Sequence, residues 1–356
     1  MADTVSRKKE GPQRARMEGE SNGNIVSIRD LRVDFALREG EVHAISGLNL
    51  DIKAGETLGL VGESGCGKSV TMQAILRVIP SPGRIVGGEI LFDSEELGVF
   101  DIAKVMSDGP EMISVRRNDV SVIFQEPMTS LSPVHTIGNQ IIESIRLRKR
   151  ITKKEARGLA IDMLEKVGIP QASVRIDAYT FELSGGMRQR AMIAMALASE
   201  PKLLIADEPT TAIDVTIQAQ ILELLARLQE EFGMSILIIT HDLGVVASMA
   251  DRIAVMYRGR AVEKSTAKEI FAQPLHPYTK GLIRSIPNMS DDENKTLLWN
   301  IRGTVPHPYA VVSGCPFHPR CDEFISGTCD VVVPEEIPIS KEHSTSCHLF
   351  SQEKND

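Results

Sequence analysis

The sequence predicts an α/β fold built on a parallel sheet, and three observations carry that expectation. Two largely apolar runs, KLLIAD and SILIIT, have the length and composition of strands buried on both faces. Helical patterns flank them: MRQRAMIAMALAS precedes the first run, and IQAQILELLARLQEEFG lies between the two. A glycine-rich turn at residues 62–69 joins a third apolar run, TLGLV, to another helix candidate. Strands alternating with helices in this way feed parallel sheets.

Taken in chain order, residues 1–24 are polar, mixed in charge and without an apolar signal core, and read as a disordered tail. Residues 25–62 alternate apolar and polar positions in short runs broken by glycine, which suits β-structure. The helix KSVTMQAILRVI is expected to stop at Pro80. Residues 137–170 keep helical periodicity with no proline until Pro170. Beyond residue 263 or so the chain is punctuated by proline and irregular, as a small appended module would be.

Composition narrows the function. The 356 residues include 42% hydrophobic and 25% charged side chains, ordinary for a globular protein, and exceed what one core usually holds. A net charge of −8 and an aromatic share of 4% give neither a basic field nor a stacking platform for nucleic acid. No stretch reaches the ~20 apolar residues that cross a bilayer. The cytoplasm is therefore the expected compartment, where cysteines stay reduced and a cluster of them suggests metal before disulfides.

The turn Gly62-Glu63-Ser64-Gly65-Cys66-Gly67-Lys68-Ser69, followed by Val70, fits G-x-x-x-x-G-K-[ST] between a strand and a helix. Its glycines let backbone N–H groups turn inward around phosphate oxygens, and the helix start adds a positive dipole end. Lys68 would neutralise the β- and γ-phosphates, and the Ser69 hydroxyl would ligate Mg²⁺. The strand Leu203-Leu204-Ile205-Ala206 ends in Asp207 and Glu208. Alone, two acids could simply mark a strand leaving the core. Paired with the phosphate loop they form a second half-site, with Asp207 holding Mg²⁺ and Glu208 orienting or deprotonating the attacking water. Those two elements define a P-loop nucleotide triphosphatase.

A second phosphate-binding helix start, Ser184-Gly185-Gly186, opens the segment LSGGMRQR just before that acidic strand. Two such starts in one chain suggest half-sites completed by dimerisation. LSGGMRQR resembles the signature motif of the ABC ATPases. Gln125 in VIFQEPMTSLSP resembles their Q-loop, TTAID ending at Asp214 their D-loop, and His241 in IIITHDL their switch histidine. Each is weak singly; six motifs in family order over residues 62–241 are not. The resemblance implies an α/β P-loop NTPase of the ABC ATPase type over 25–262, with a RecA-like core, an antiparallel β subdomain and a helical subdomain at about 126–182. It implies head-to-tail pairing, each ATP lying between one subunit's P-loop and the partner's Ser184, Gly185 and Gly186. Gln125 would sense Mg²⁺ and the lytic water, His241 would bond the γ-phosphate, and Asp214 would help align the dimer. One departure concerns the base: the family usually stacks adenine on an aromatic residue, yet residues 37–43 contain none. Phe35 is the nearest, and Val42 or His43 are the alternatives.

Residues 263–356 carry Cys315, Cys321, Cys329 and Cys347, spaced C-x5-C-x7-C-x17-C. Spacing alone leaves a 4Fe–4S cluster, zinc and unligated thiols open. GCPFHPRC and the upstream HPYTKGLIRSIP resemble the C-terminal region of oligopeptide/dipeptide permease ATPases, some of which hold a 4Fe–4S cluster on four cysteines, and that resemblance favours the cluster. It further implies ATP and Mg²⁺ as cofactors, a second and usually paralogous ATPase subunit, two transmembrane permease subunits and an extracytoplasmic solute-binding protein. The chain would work at the cytoplasmic face of the cell membrane, with no nucleic acid. Peptides are the expected cargo; nickel chelates or oligosaccharides are the alternative. A soluble ABC machine of DNA repair or translation would carry a long coiled-coil insertion or two cassettes, which this chain lacks. A non-hydrolysing iron–sulfur protein would not need Lys68 and Glu208.

Overall fold

A computed structural model describes residues 23–125, 130–210, 214–286 and 301–354. The tail expected at the start of the chain lies, up to residue 22, outside the described residues. Residues 24–61 form three strands: β1 (Asn24–Leu37), β2 (Gly40–Lys53) and β3 (Thr57–Val61). β1 and β2 pair with β4 (Gly83–Ser94) and β5 (Gly98–Asp101) in a four-stranded antiparallel sheet of order β2-β1-β4-β5.

The larger sheet is built around five parallel strands, in the order β9-β3-β8-β7-β6. They are β9 (Arg252–Tyr257), β3, β8 (Ser235–Thr240), β7 (Leu203–Asp207) and β6 (Val120–Ile123). Every residue of β3 and β8 is buried, as expected of strands covered on both faces. Successive residues feed opposite cores. Leu204, Ala206, Ile236 and Ile238 pack toward the helices, whereas Leu203, Ile205, Leu237 and Ile239 pack toward the antiparallel sheet.

Helix α1 (Lys68–Leu76) starts on the glycine turn but ends four residues before Pro80. Arg77 adopts a left-handed conformation (φ 55°) and its N–H closes back on the Ala74 carbonyl, so a backbone cap ends the helix ahead of the proline. A short helix, α2 (Pro110–Ser114), precedes β6. The helical stretch read at 137–170 is divided. α3 (Ile137–Arg148) stops, and α4 (Lys153–Lys166) restarts on a reciprocal capping box between Thr152 and Glu155. After α5 (Ala172–Arg175) come α6 (Gly185–Leu197) and the long α7 (Val215–Phe232), capped by Asp214 and ended by left-handed Gly233.

Beyond β9 the chain is more regular than its prolines suggested. β10 (Arg260–Thr266) pairs with β9, and, after α8 (Leu243–Met249) ahead of β9, both α9 (Ala267–Ala272) and α10 (Pro277–Arg284) beyond it are helical. Pro277 begins α10 at a position where a missing N–H costs nothing. Two short strands, β11 (Ile337–Pro338) and β12 (Ser344–Thr345), extend the large sheet, with Thr345 opposite Glu263 of β10. Ile301, Cys315 and Phe317 join the core on the helix side of that sheet.

His276 caps α10: its Nδ1 accepts the Tyr278 N–H at 3.0 Å, which requires a neutral ring. Burial lowers its pKa from 6.5 to about 3. The unfolded chain takes up a proton near pH 6.5 that the folded chain refuses until near pH 3. This contribution is therefore fully present above pH 6.5 and is lost as pH falls through that window. Denaturant titrations from pH 7 to 4 are expected to show a slope up to about 1.4 kcal/mol per pH unit steeper in the parent than in His276→Asn, which caps without titrating. Identical slopes in both proteins would remove His276 from the acid response.

Candidate functional site

The C-terminal ends of β3, β6, β7 and β8 converge on one open cavity of about 890 Å³. The phosphate loop follows β3, and Gly62, Glu63, Ser64, Gly65, Gly67, Lys68, Ser69 and Val70 all line the cavity. Gly67 has φ +104°, and a Cβ there would stand 2.7 Å from the Ala44 carbonyl, so only glycine fits. Cys66 is buried beneath the loop, and burial pushes its thiol pKa up. Lys68 turns back onto the loop, its Nζ donating to the carbonyls of Gly62 (2.7 Å) and Glu63 (3.2 Å).

Gln125, Glu208 and His241, which follow three different strands, meet across the mouth of this loop. Gln125 Nε2 donates to Glu208 Oε2 at 3.0 Å, and His241 Nδ1 lies 2.9 Å from Glu208 Oε1. Glu208 holds a left-handed backbone (φ 48°), and its N–H donates to the Ile239 carbonyl at 2.8 Å. Such a conformation is costly outside glycine and concentrates at working sites. It aims a carboxylate at the cavity, where it can orient or deprotonate a water beside a bound phosphate.

Asp207 lies one residue earlier, near enough to the Ser69 hydroxyl for it to favour the ionised carboxylate. Burial, then the charge of Glu208, raise its pKa; the Ser69 hydroxyl and the Lys68 charge oppose them. A hydroxyl, a half-buried carboxylate and a second acid close by are oxygen donors whose stacked negative charge suits a hard divalent cation such as Mg²⁺.

Ser184, Gly185 and Gly186 do not join the cavity. Ser184 and Gly185 are exposed at the tip of α6, where the Ser184 side chain accepts the Met187 N–H. The same helix reaches the acidic strand from behind, because buried Gln189 donates through Nε2 to the Pro209 carbonyl. Asp214 is also exposed and apart from the cavity, its side chain accepting the Ile217 N–H at 2.9 Å. The other residues of the TTAID motif from 211 to 213, and 126–129 after Gln125, lie outside the described residues.

Of the three residues considered for the base, Val42 and His43 line the cavity and Phe35 does not. The Phe35 ring instead covers Gly83. Val305, Pro306 and Pro308, with Arg258 and Leu282, also line the cavity. Sequence reading missed these residues, as it missed Tyr278 and Arg320. Tyr278 accepts the Glu63 N–H at 2.9 Å, and Arg320 forms a two-pronged ion pair with the Glu63 carboxylate. Their only mark in the sequence was the pair of segments HPYTKG and HPRC, which carry no spacing relation to the phosphate loop.

Cys315, Cys329 and Cys347 are buried and Cys321 is half-buried. The Cys315 N–H donates to the Cys329 carbonyl at 2.8 Å. The four thiols lie close enough to act on one another: burial first, then neighbouring thiols, push Cys321 up to about 11 and Cys347 up to about 12. No three of their sulfurs fall within 4.8 Å of one another; among the described residues only Asp34, Glu41 and His43 do so as a possible ligand group.

Comparison with known proteins agrees with this geometry. Residues 45–211 match the family model described as ABC transporter, and 262–329 match that of the oligopeptide/dipeptide transporter C-terminal region. The dipeptide transport ATP-binding protein DppD of Bacillus subtilis is 47% identical over 329 residues, 92% of this chain and 95% of that protein. The oligopeptide transport ATP-binding protein OppD of the same organism is 51% identical over 283 residues, covering 79% and 77% of the two chains. Among solved structures, the dimeric post-hydrolysis ATP-binding cassette MJ0796 bound to ADP and Pi superposes with a TM-score of 0.59 at 27% identity, covering 68% of this chain and 98% of that one. CbiO1 of Clostridium perfringens, part of the transporter complex cbiONQ, gives 0.60 at 29% identity over 70% and 92%. The parallel sheet, the phosphate loop and these matches together place the chain in the ABC transporter ATPase family, among the ATP-binding subunits that carry the oligopeptide/dipeptide C-terminal region.

Proposed function

We propose that this chain hydrolyses ATP to drive import of dipeptides or oligopeptides through a pair of membrane permease subunits. The observation that carries the reading is the Gln125–Glu208–His241 cluster facing the phosphate loop while Ser184 stands outside the cavity. A site with its base and phosphate cradle on one side, and a spare serine–glycine helix start elsewhere, is half of a shared site.

In that reading the loop N–H groups and Lys68 grip the β- and γ-phosphates, and Val42 and His43 contact the base. Glu208 takes a proton from the lytic water, Gln125 fixes the carboxylate, and His241 holds both Glu208 and the γ-phosphate. Mg²⁺, held by Ser69 and Asp207 with Gln125 nearby, would neutralise charge building on the phosphates. Ser184, Gly185 and Gly186 of a partner cassette close the other face, and Asp214 helps align the two. ATP then acts as interfacial glue, and its cleavage reopens the pair. The partner is a paralogous cassette, the 126–182 segment receives a coupling helix of a permease, and a solute-binding protein delivers the peptide from outside. Among the described residues no helix is long and apolar enough to cross a membrane, so attachment at the inner face of the cell membrane would be peripheral.

The four-cysteine region fits a 4Fe–4S cluster in this proposal. Four buried or half-buried thiols with no other ligand class suit such a cluster. No three of their sulfurs lie within 4.8 Å of one another, so they do not form the compact set, ~3.8 Å on every edge, that four 2.3 Å bonds to one tetrahedral zinc would impose. Its role would be structural or redox-sensing, apart from hydrolysis.

Three measurements test these assignments. Glu208→Gln is expected to keep ATP binding while turnover drops by about 100-fold or more; undiminished hydrolysis refutes the general-base role. Protein purified without oxygen should carry about four irons per chain, whereas stoichiometric zinc without iron would overturn the cluster. In proteoliposomes holding both cassettes, the permeases and the binding protein, added peptide should raise ATP hydrolysis and accumulate inside. Indifference to peptide, with a response to a nickel chelate or an oligosaccharide, would reassign the cargo.

A further inference from the structure

Glu63, in the phosphate loop, is held at both ends by the C-terminal region. Its backbone N–H donates to the Tyr278 hydroxyl at 2.9 Å. Its carboxylate accepts from Arg320 Nη1 at 2.6 Å and Nη2 at 3.0 Å. Arg320 is itself fixed. Nε donates to the Arg302 carbonyl at 3.0 Å, Nη1 also reaches the Tyr257 hydroxyl at 3.4 Å, and the guanidinium lies 5.8 and 6.0 Å from the Tyr257 and Phe317 rings. Only 4% of the Arg320 side chain is exposed, against 29% of Glu63's, so a buried guanidinium holds a carboxylate at the cavity wall through a two-pronged pair. The rings of Tyr257, Tyr278 and Phe317 pack on one another at 4.8–5.3 Å, making a rigid seat for both groups.

We propose that Arg320 is a positioning residue for nucleotide: through Glu63 it sets the conformation of the phosphate loop, and so the affinity for ATP. Glu63 is the neighbour of Gly62, and both carbonyls accept from Lys68 Nζ. Moving Glu63 therefore moves the lysine that grips the phosphates as well as the loop N–H groups. Arg320 touches none of Gln125, Glu208 or His241, so its influence falls on binding and leaves the hydrolytic group in place. Its side chain projects from the turn 315–321, in which the Arg320 N–H closes on Phe317 and the Cys321 N–H on His318. Two of the four thiols, Cys315 and Cys321, sit on this turn. The region that distinguishes this branch from a bare cassette thereby becomes part of the ATP site.

The test is a double-mutant cycle on the full chain, reading the Kd for Mg²⁺–ATP by calorimetry, the KM and kcat of hydrolysis, and the melting temperature without nucleotide. Losing charged hydrogen bonds in Arg320→Gln should raise Kd and KM roughly tenfold or more, with kcat at saturating ATP within about twofold. Glu63→Gln should behave alike, and the double variant should be no worse than the weaker single, because both remove one interaction. Lys280→Ala, which breaks an exposed pair with Glu323 in the same region, should leave Kd unchanged. Where Arg320→Gln does not fold, Arg320→Lys decides: it keeps the charge but not the fork, and should bind ATP with intermediate affinity. A Kd within twofold of the parent in the folded Arg320 variant, whatever its melting temperature, overturns the proposal and leaves the pair a tether only. Additive losses in the cycle overturn it as well.

Discussion

The Glu208 N–H donates to the carbonyl of Ile239, and the geometry of the proposed ATP site follows from that bond and the strand register behind it. Asp207 stands opposite Ile239 on β8, and Val61 opposite Thr240, so the ends of β7, β8 and β3 are level. Level ends put the phosphate loop, the two acids and His241 at one edge of the sheet, which is where parallel α/β sheets bind ligands. A one-residue slip would reverse every side chain of the shifted strand and misplace the acids. The two cores prevent it, because Leu204, Ala206, Ile236 and Ile238 fill one side and Leu203, Ile205, Leu237 and Ile239 fill the other. The packing that stabilises the sheet is also what aims its chemistry.

A second layer of constraint comes from far along the chain. Val305, Pro306 and Pro308 line the cavity, and Tyr278 and Arg320 hold the phosphate loop at Glu63. These contacts span more than 200 residues of sequence, and β12 anchors the region that provides them by pairing with β10. The C-terminal region supplies part of the cavity wall and a brace for the phosphate loop.

The parts of the site legible in the sequence were those that physics makes local. A phosphate loop needs its glycines and lysine within eight residues, and a strand buried on both faces needs an unbroken apolar run. Residues 62–69 and 203–208 advertised both. The meeting of Gln125, Glu208 and His241 rested on family resemblance and is realised by strand register that no spacing encodes. Helix ends were read less well, because a left-handed backbone at Arg77 stopped α1 before Pro80 and Thr152 restarted a helix inside one periodic stretch. Pro277 misled in the opposite sense, beginning a helix where prolines had suggested irregular chain. The Arg320–Glu63 pair had no local signature at all.

The most direct test is a structure of the Mg²⁺–ATP-loaded transporter carrying Glu208→Gln in this chain. Ser184 of this chain should lie within about 3 Å of the γ-phosphate gripped by the partner cassette's phosphate loop. Gln125, residue 208 and His241 should face the γ-phosphate held by this chain's own Lys68. A closed, nucleotide-loaded assembly with Ser184 remote from every terminal phosphate would contradict the shared site.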